Sequence, residues 1–403
     1  MFKMKKLLLP FSWLYGLITD IRNYLYDTGF WKSKFFKIPI INVGNITVGG
    51  TGKTPMVEYL IRLLKDKYQI VTLSRGYGRK TKGFILADDT ANAESIGDEP
   101  MQFYQKFGNE INVTVGEKRV KAIEQILQQK TDTEIVILDD AFQHRAVKPS
   151  LSILLIDYNR PIDEDYPFPA GRLRERRHGA KRADLVVITK CPDDLNLEAQ
   201  SSLKNRLKPY LKENNTPSFR GWCPHQTPVR KQQSTLLSHF WLVRTPATGR
   251  KQESTPILFT KILYGKPINC RSDSRVLNEK ESILLISGIA KPEPFENYVR
   301  QKFKIVSQLV FKDHHLYSEE DIKFIISKMP TTAKVILMTE KDMVKFKPFL
   351  NHELLKDIPL FYLPIEVGFI NENENLIFNK VILDNLGLDG FSNANNYSPI
   401  TNH

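Results

Sequence analysis

The chain has 403 residues, a formal net charge of +13 and three cysteines. That length accommodates two α/β domains with full cores, and the charge points to an anionic partner: nucleic acid, acidic lipid or a phosphorylated substrate. Cys191, Cys223 and Cys270 are widely spaced and lack C-x-x-C, which excludes a zinc site and a disulfide framework and fits a reducing compartment.

Residues 1–37 open basic, and the apolar run from Leu7 to Ile18 is too short to span a bilayer. It resembles a signal peptide, but no small-x-small cleavage site follows. Trp13, Tyr15, Tyr24, Tyr26, Phe30 and Trp31 are mixed with Lys and Arg, which suits a helix lying at a membrane interface. A helix packed only on its own domain is the competing reading; the composition favours the membrane surface.

Residues 38–217 read as a P-loop domain. "FKIPIINVGNI" has the β-branched content of a buried strand, and "PMVEYLIRLLKDK" is apolar at Met56, Val57, Leu60, Ile61 and Leu64, a helical period. Between them, Thr47, Val48, Gly49, Gly50, Thr51, Gly52, Lys53 and Thr54 form a glycine-rich turn that aims backbone N–H groups and a helix N-terminus at one spot. Such a turn attracts phosphate; Lys53 adds a point charge and Thr54 a hydroxyl for Mg²⁺. Thr47 stands where G-x-x-x-x-G-K-[ST] has its first glycine. The strand "TEIVILDD" ends in Asp139 and Asp140, the place of a metal-holding carboxylate in such proteins. "YQIVTLSRGYGRK", "LSILLID" and "ADLVVITK" supply further strands and "GEKRVKAIEQILQQK" a helix, so a parallel sheet with helices on both faces is expected.

Residues 218–255 break this pattern, with Glu253 as sole acid against six Arg and Lys. The segment reads as a poorly ordered basic insertion without a catalytic role, or else as a partner-binding insert. From 281 to 386 a second α/β series runs through "ILLISGIA", "PEPFENYVRQKF", "IVSQLVF", "SEEDIKFIISKM", "AKVILMTE", "LFYLPIEV" and "ENLIFNKVILDNL"; the Asn- and Ser-rich tail 387–403 reads as disordered.

"VGNITVGGTGKTP", "LSRGYGRK", "GDEP", "ILDDAFQHR", "FPAGRLRE", "ADLVVITK", "FTKILYG", "SGIAKPEPF", "FKDHHLY" and "TEKDMVKF" follow one another from Ile38 to Phe346. In that order they resemble the tetraacyldisaccharide 4′-kinases, the lipid A 4′-kinases of Gram-negative bacteria. That family's loop also lacks the first glycine, whereas the 218–255 segment resembles nothing in it. The resemblance implies two α/β/α domains joined by a small β-hairpin (residues 256–280), with the active site in the cleft between them. It also implies ATP- and Mg²⁺-dependent phosphorylation of the 4′-hydroxyl of an acylated glucosamine disaccharide 1-phosphate, giving lipid IVA at the cytoplasmic face of the inner membrane. Asp98 of "GDEP" resembles the family's catalytic base, and His314 of "DHH", with His315 as the alternative, its partner in holding the proton. Arg75, Tyr77, Arg119, Gln143, His144, Arg172 and Arg174 resemble substrate contacts, although an arginine run such as "GRLRERR" is as often a solvated face.

Two other classes share features with this chain. A P-loop switch or metallochaperone would carry N-K-x-D after a strand, but "ITKCPDD" places Pro192 where the aspartate belongs. A nucleic-acid-binding protein would suit the charge, but no basic-aromatic recognition module is evident, so nucleic acid is not expected as a partner.

Overall fold

The computed structural model describes residues 2–212, 254–271 and 274–386. The basic insertion, apart from Ser254 and Thr255, and the tail from residue 387 lie outside the described residues.

Helix α1 (Phe2–Asp27) is followed by strand β1 (Ile40–Gly44), helix α2 (Lys53–Leu64), β2 (Ile70–Ser74) and the short β3 (Ile85–Leu86). Then come α3 (Ala93–Ile96), α4 (Asp98–Phe107), β4 (Asn112–Val115), α5 (Arg119–Gln129), β5 (Ile135–Asp139), β6 (Leu151–Asp157) and β7 (Leu185–Thr189). Helix α6 (Leu197–Leu207) precedes β8 (Ile257–Tyr264) and β9 (Ile268–Asn269). The last third holds β10 (Ser282–Ser287), α7 (Glu293–Lys302), β11 (Lys304–Val310), α8 (Glu319–Ser327), β12 (Val335–Thr339) and α9 (Glu340–Phe346). It closes with β13 (Leu360–Leu363), β14 (Ile365–Phe369) and α10 (Glu372–Asn385).

Two sheets result. The larger has the order β14-β8-β7-β6-β1-β5-β2-β4-β3, and the smaller β11-β10-β12-β13-β9. In the first, β8 through β4 pair in parallel while β14 and β3 run antiparallel at the two edges. Strands β1, β2, β5, β6 and β7 are buried along their whole length. This is why they read as continuous apolar runs rather than alternating ones: helices cover both faces. Ile41 and Val43 pack with Met56, Leu60 and Ile61 of α2, whereas Ile40 faces the other way onto Ile123 and Ile126 of α5.

Three expectations need correction. The linker 256–280 is not a local hairpin: β8 pairs with β14, and β9 joins the other sheet beside β13. The ribbon joining the sheets therefore comes from two distant segments. "LFYLPIEV", read as one strand, is two; β13 belongs to the smaller sheet, β14 to the larger, and Pro364, which has no N–H for a ladder, sits at the switch. Helix α10, expected in the second domain, packs on the first instead. Phe378 and Ile382 share a core with Met56 and Leu60, and the Tyr59 hydroxyl bonds Asn379 Oδ1 at 3.0 Å.

Helix α1 packs inside out. Ser12, Gly16, Thr19 and Asn23 are its buried positions, a stripe at spacings of three and four. The Ser12 hydroxyl accepts from Ala170 N at 2.8 Å, and Asn23 Nδ2 donates to Glu175 Oε2 at 3.0 Å. A Cβ at Gly16 would lie 2.6 Å from Arg176 Nε, so the arginine would have to shift to admit a side chain there. Phe11, Trp13, Leu14, Leu17, Ile18, Ile21 and Tyr24 are left exposed on the outer face.

Candidate active site

The nucleotide loop follows directly from β1. Gly52 adopts φ +80°, a left-handed turn that suits glycine, and hands the chain to α2, whose N-terminus has no side-chain cap. Its first N–H groups are thus left for a ligand. Two neighbours fix the loop from behind. Val48 N donates to Arg172 O at 2.8 Å and Arg174 N to Ile46 O at 2.7 Å. From β7 and the residue after it, Thr189 Oγ1 donates to Thr51 O at 2.9 Å and Lys190 Nζ to Gly50 O.

At the end of β5 the two aspartates part company. Asp139 is buried; its Oδ2 accepts from Ser74 Oγ at 3.2 Å, while its Oδ1 has no hydrogen-bond partner. Burial first, and then the nearby Glu99 carboxylate, push Asp139 up to about 7 against the pull of Lys53. For Asp140, burial acts in the same sense but is outweighed by Lys53 and Arg174, which hold it below the usual carboxylate range. Arg174 NH1 lies 2.9 Å from Asp140 Oδ1 and Lys53 Nζ 3.7 Å from the same atom. Lysine, acids and loop thus share the C-terminal edge of the parallel strands, the ligand-binding edge of open α/β sheets.

Asp98 begins α4, after Gly97 at φ +94°, where a Cβ would press on Tyr77 O at 3.0 Å. His314 comes from the loop after β11 of the second sheet. They meet: His314 Nδ1 lies 3.0 Å from Asp98 Oδ2, and His314 Nε2 lies 3.2 Å from Lys341 Nζ. Burial raises the Asp98 pKa, but the His314 contact, Lys345 and Lys341 overcome it and hold the carboxylate below its ordinary range. His315 turns away and contacts Asp321 at 2.9 Å.

The expected substrate contacts fall into two sets. Arg75, Tyr77 and Arg172 are exposed, and the Tyr77 ring lies 5.4 Å from that of His314. Arg119 is buried with Nε and NH2 unpartnered; burial pushes it down to about 10, so it remains a cation beside Asp139, Asp140 and Arg75. His144 is pushed down to about 4 by burial and by Arg119 and Arg75, which leaves it neutral near pH 7. By contrast, Arg174 and Gln143 are engaged within the protein. Gln143 Nε2 donates to Asn45 O at 2.8 Å and to Glu175 Oε1 at 3.1 Å. Sequence reasoning missed Glu175, which is wholly buried and also pairs with Arg182 at 2.8 Å. Within "GRLRERR" it looks like one charge among many. Glu99 and Lys341 were missed as well, although both lie inside the quoted motifs "GDEP" and "TEKDMVKF".

A family model described as tetraacyldisaccharide-1-P 4′-kinase (LpxK) matches residues 4–383. The chain belongs to that family. The tetraacyldisaccharide 4′-kinase of Flavobacterium psychrophilum is 44% identical over 381 residues, covering 94% of this chain and 96% of the relative. That of Bacteroides thetaiotaomicron is 40% identical over 388 residues, 94% and 93% of the two chains. Among solved structures, LpxK from Aquifex aeolicus, an "apo" form in complex with ATP, superposes with a TM-score of 0.67 at 27% identity. It covers 95% of this chain and 99% of that one. That likeness extends over nearly the whole chain and agrees with the expected α/β architecture.

Proposed function

We infer that this chain is an ATP-dependent kinase that phosphorylates the 4′-hydroxyl of a tetraacyldisaccharide 1-phosphate. One observation carries the reading beyond nucleotide binding: Asp98 of the P-loop unit is in contact with His314 of the second sheet, 216 positions away. A hydrolytic switch needs only water beside the γ-phosphate. A transferase needs an acceptor-side proton acceptor, and such a pair at the ligand edge supplies one. The Asp98 carboxylate, held acidic, is a weak base alone; with His314 it can pass on the acceptor's proton. The loop from Thr47 to Thr54 cradles the phosphates, with Lys53 toward the transferred group. Arg75, Tyr77, Arg119 and Arg172 suit the acidic lipid, while Gln143, His144 and Arg174 line or brace the same edge. ADP release that depends on added disaccharide 1-phosphate supports this reading, and equal release without acceptor contradicts it.

Mg²⁺ fits the residues present. Among the described residues no group of three or more His, Cys, Asp and Glu gathers as a metal cage. Magnesium needs only one or two protein carboxylates when phosphates and water complete its shell. Asp139, with a buried unpartnered oxygen, would hold it together with Thr54 and Asp140, and the bound ion would offset phosphate charge. Asp139→Asn gives a test in stability. A carboxyl whose folded pKa is raised costs stability progressively from about pH 4 to about pH 7 and fully above that. Without ligands, the variant's melting temperature should therefore exceed the wild type's by several degrees at about pH 8. The gain should shrink toward pH 5, and the rise in melting temperature caused by Mg²⁺ with nucleotide should be lost. Equal Mg²⁺ response in both proteins would refute the assignment.

The same inference places the protein on the cytoplasmic face of the inner membrane, held by α1. No helix among the described residues is long and apolar enough to cross a membrane. What supports surface binding is the outward apolar row Phe11, Leu14, Ile18 and Ile21, opposite a polar row that is already engaged. Leu14→Asp with Ile18→Asp should cut co-sedimentation with anionic vesicles at least about tenfold while leaving ATP binding intact. Undiminished sedimentation would contradict it.

A further inference from the structure

Behind the site, away from the proposed acceptor, three helices share a buried charge cluster. Lys106 of α4 sits between Glu58 Oε2 of α2, at 2.7 Å, and Glu340 Oε1 of α9, at 2.6 Å. Gln102 Nε2 bridges the same two carboxylates, at 2.8 Å to Glu58 and 3.3 Å to Glu340. Arg62 closes the far side, 3.2 Å from both Glu58 and Glu366 of β14. Glu58 and Glu340 are almost wholly buried.

The helices joined here are the ones whose first residues form the site. Helix α2 begins with Lys53, α4 with Asp98, and α9 places Lys341 against His314 immediately after Glu340. Val344 of α9 also packs with Ile96 and Met101 around α4. We propose that Glu58, Lys106 and Glu340 are positioning residues that clamp the second sheet to the nucleotide loop and so set the Asp98–His314 contact. The inference rests on the kinase reading above. None of the three touches the site, so they act through helix placement, and in such an arrangement a misplacement of about 1 Å costs roughly 10²-fold in rate.

The cluster has a titration of its own. Three carboxylates, Glu58, Glu340 and Glu366, face two cations, Lys106 and Arg62, with Tyr362 also near Glu340 and Glu58. Burial and the Glu58 carboxylate push Glu340 up to about 7. A raised folded pKa means that the folded clamp binds the proton more tightly than the unfolded chain does. The clamp is therefore firm below neutral pH and weakens as pH rises through about 7.

The experiment is a double-mutant cycle of Glu340→Leu and His314→Ala in the full-length protein, reading acceptor-dependent kcat and ATP KM. Glu340→Leu alone should lower kcat about 10- to 100-fold with ATP KM within about twofold. In the His314→Ala background the same substitution should cost less than about threefold, because its effect passes through the pair already broken. A fully multiplicative loss, or a folded Glu340→Leu protein with wild-type kcat, overturns the proposal. Glu340→Gln, which keeps the side chain's size and one of its two acceptor oxygens and cannot ionise, decides the matter should the leucine variant not fold. Its kcat relative to wild type should rise from about pH 6 to about pH 8; a flat ratio overturns the proposal. Wild-type protein inactive toward the disaccharide acceptor would instead count against the kinase reading.

Discussion

Lys53→Ala should leave a folded protein that transfers phosphate at least about 10²- to 10³-fold more slowly than wild type, the scale on which a preorganised charge at a reacting group is felt. The fold should survive because Lys53 makes no packing contact that the core needs. Met56, Val57, Leu60 and Ile61 of the same helix carry the burial. Its partner Asp140 also keeps Arg174 at 2.9 Å. Nucleotide affinity should weaken less than kcat, since the loop's backbone donors remain. Turnover measured beside the melting temperature checks both halves. A variant with near-normal turnover would show that the phosphate lies elsewhere.

The Asp98–His314 pair gives the second large effect. Either alanine substitution should lower kcat about 10²- to 10⁴-fold, the usual worth of general acid–base catalysis, with little change in ATP KM. Combining the two should cost scarcely more than one, because groups that act as a unit are non-additive. The 3.0 Å contact makes a single proton-accepting unit the natural expectation. Multiplicative losses would separate their roles and make His314 a substrate contact. His315→Ala is the control: it faces Asp321 at 2.9 Å, away from Asp98, and should leave kcat within a few-fold of wild type.

The legible parts of this molecule were local. "IINVG" and "IVILD" read as strands because both faces are buried, and the spacing of glycines before Lys53 is the loop's own backbone requirement. What escaped was non-local. Nothing in "LFYLPIEV" says that Pro364 separates strands of two sheets, or that β14 would pair with a segment about one hundred residues earlier. The amphipathic pattern of α10 shows that it packs, but not on which domain. In the site, the acids at the end of β5 follow from strand and loop order. The meeting of Asp98 with His314 does not, and came only from motif resemblance. Arg174 and Gln143, expected to face substrate, also bond Asp140 and Asn45; a run of arginines does not reveal which member is already paired. Glu175 was overlooked for the complementary reason, as its burial depends on Asn23, Gln143 and Arg182 converging from three separate segments.

The function itself comes down to one covalent change on one oxygen. Purified full-length protein, ATP with Mg²⁺ and tetraacyldisaccharide 1-phosphate in detergent should yield a lipid heavier by one phosphoryl group. Phosphorus NMR should place that group as a monoester on the 4′-oxygen, with one ADP formed per lipid and product from Lys53→Ala appearing at least about 10²-fold more slowly. ATP consumed while the lipid stays a monophosphate, or a new phosphate on any other oxygen, would contradict the account.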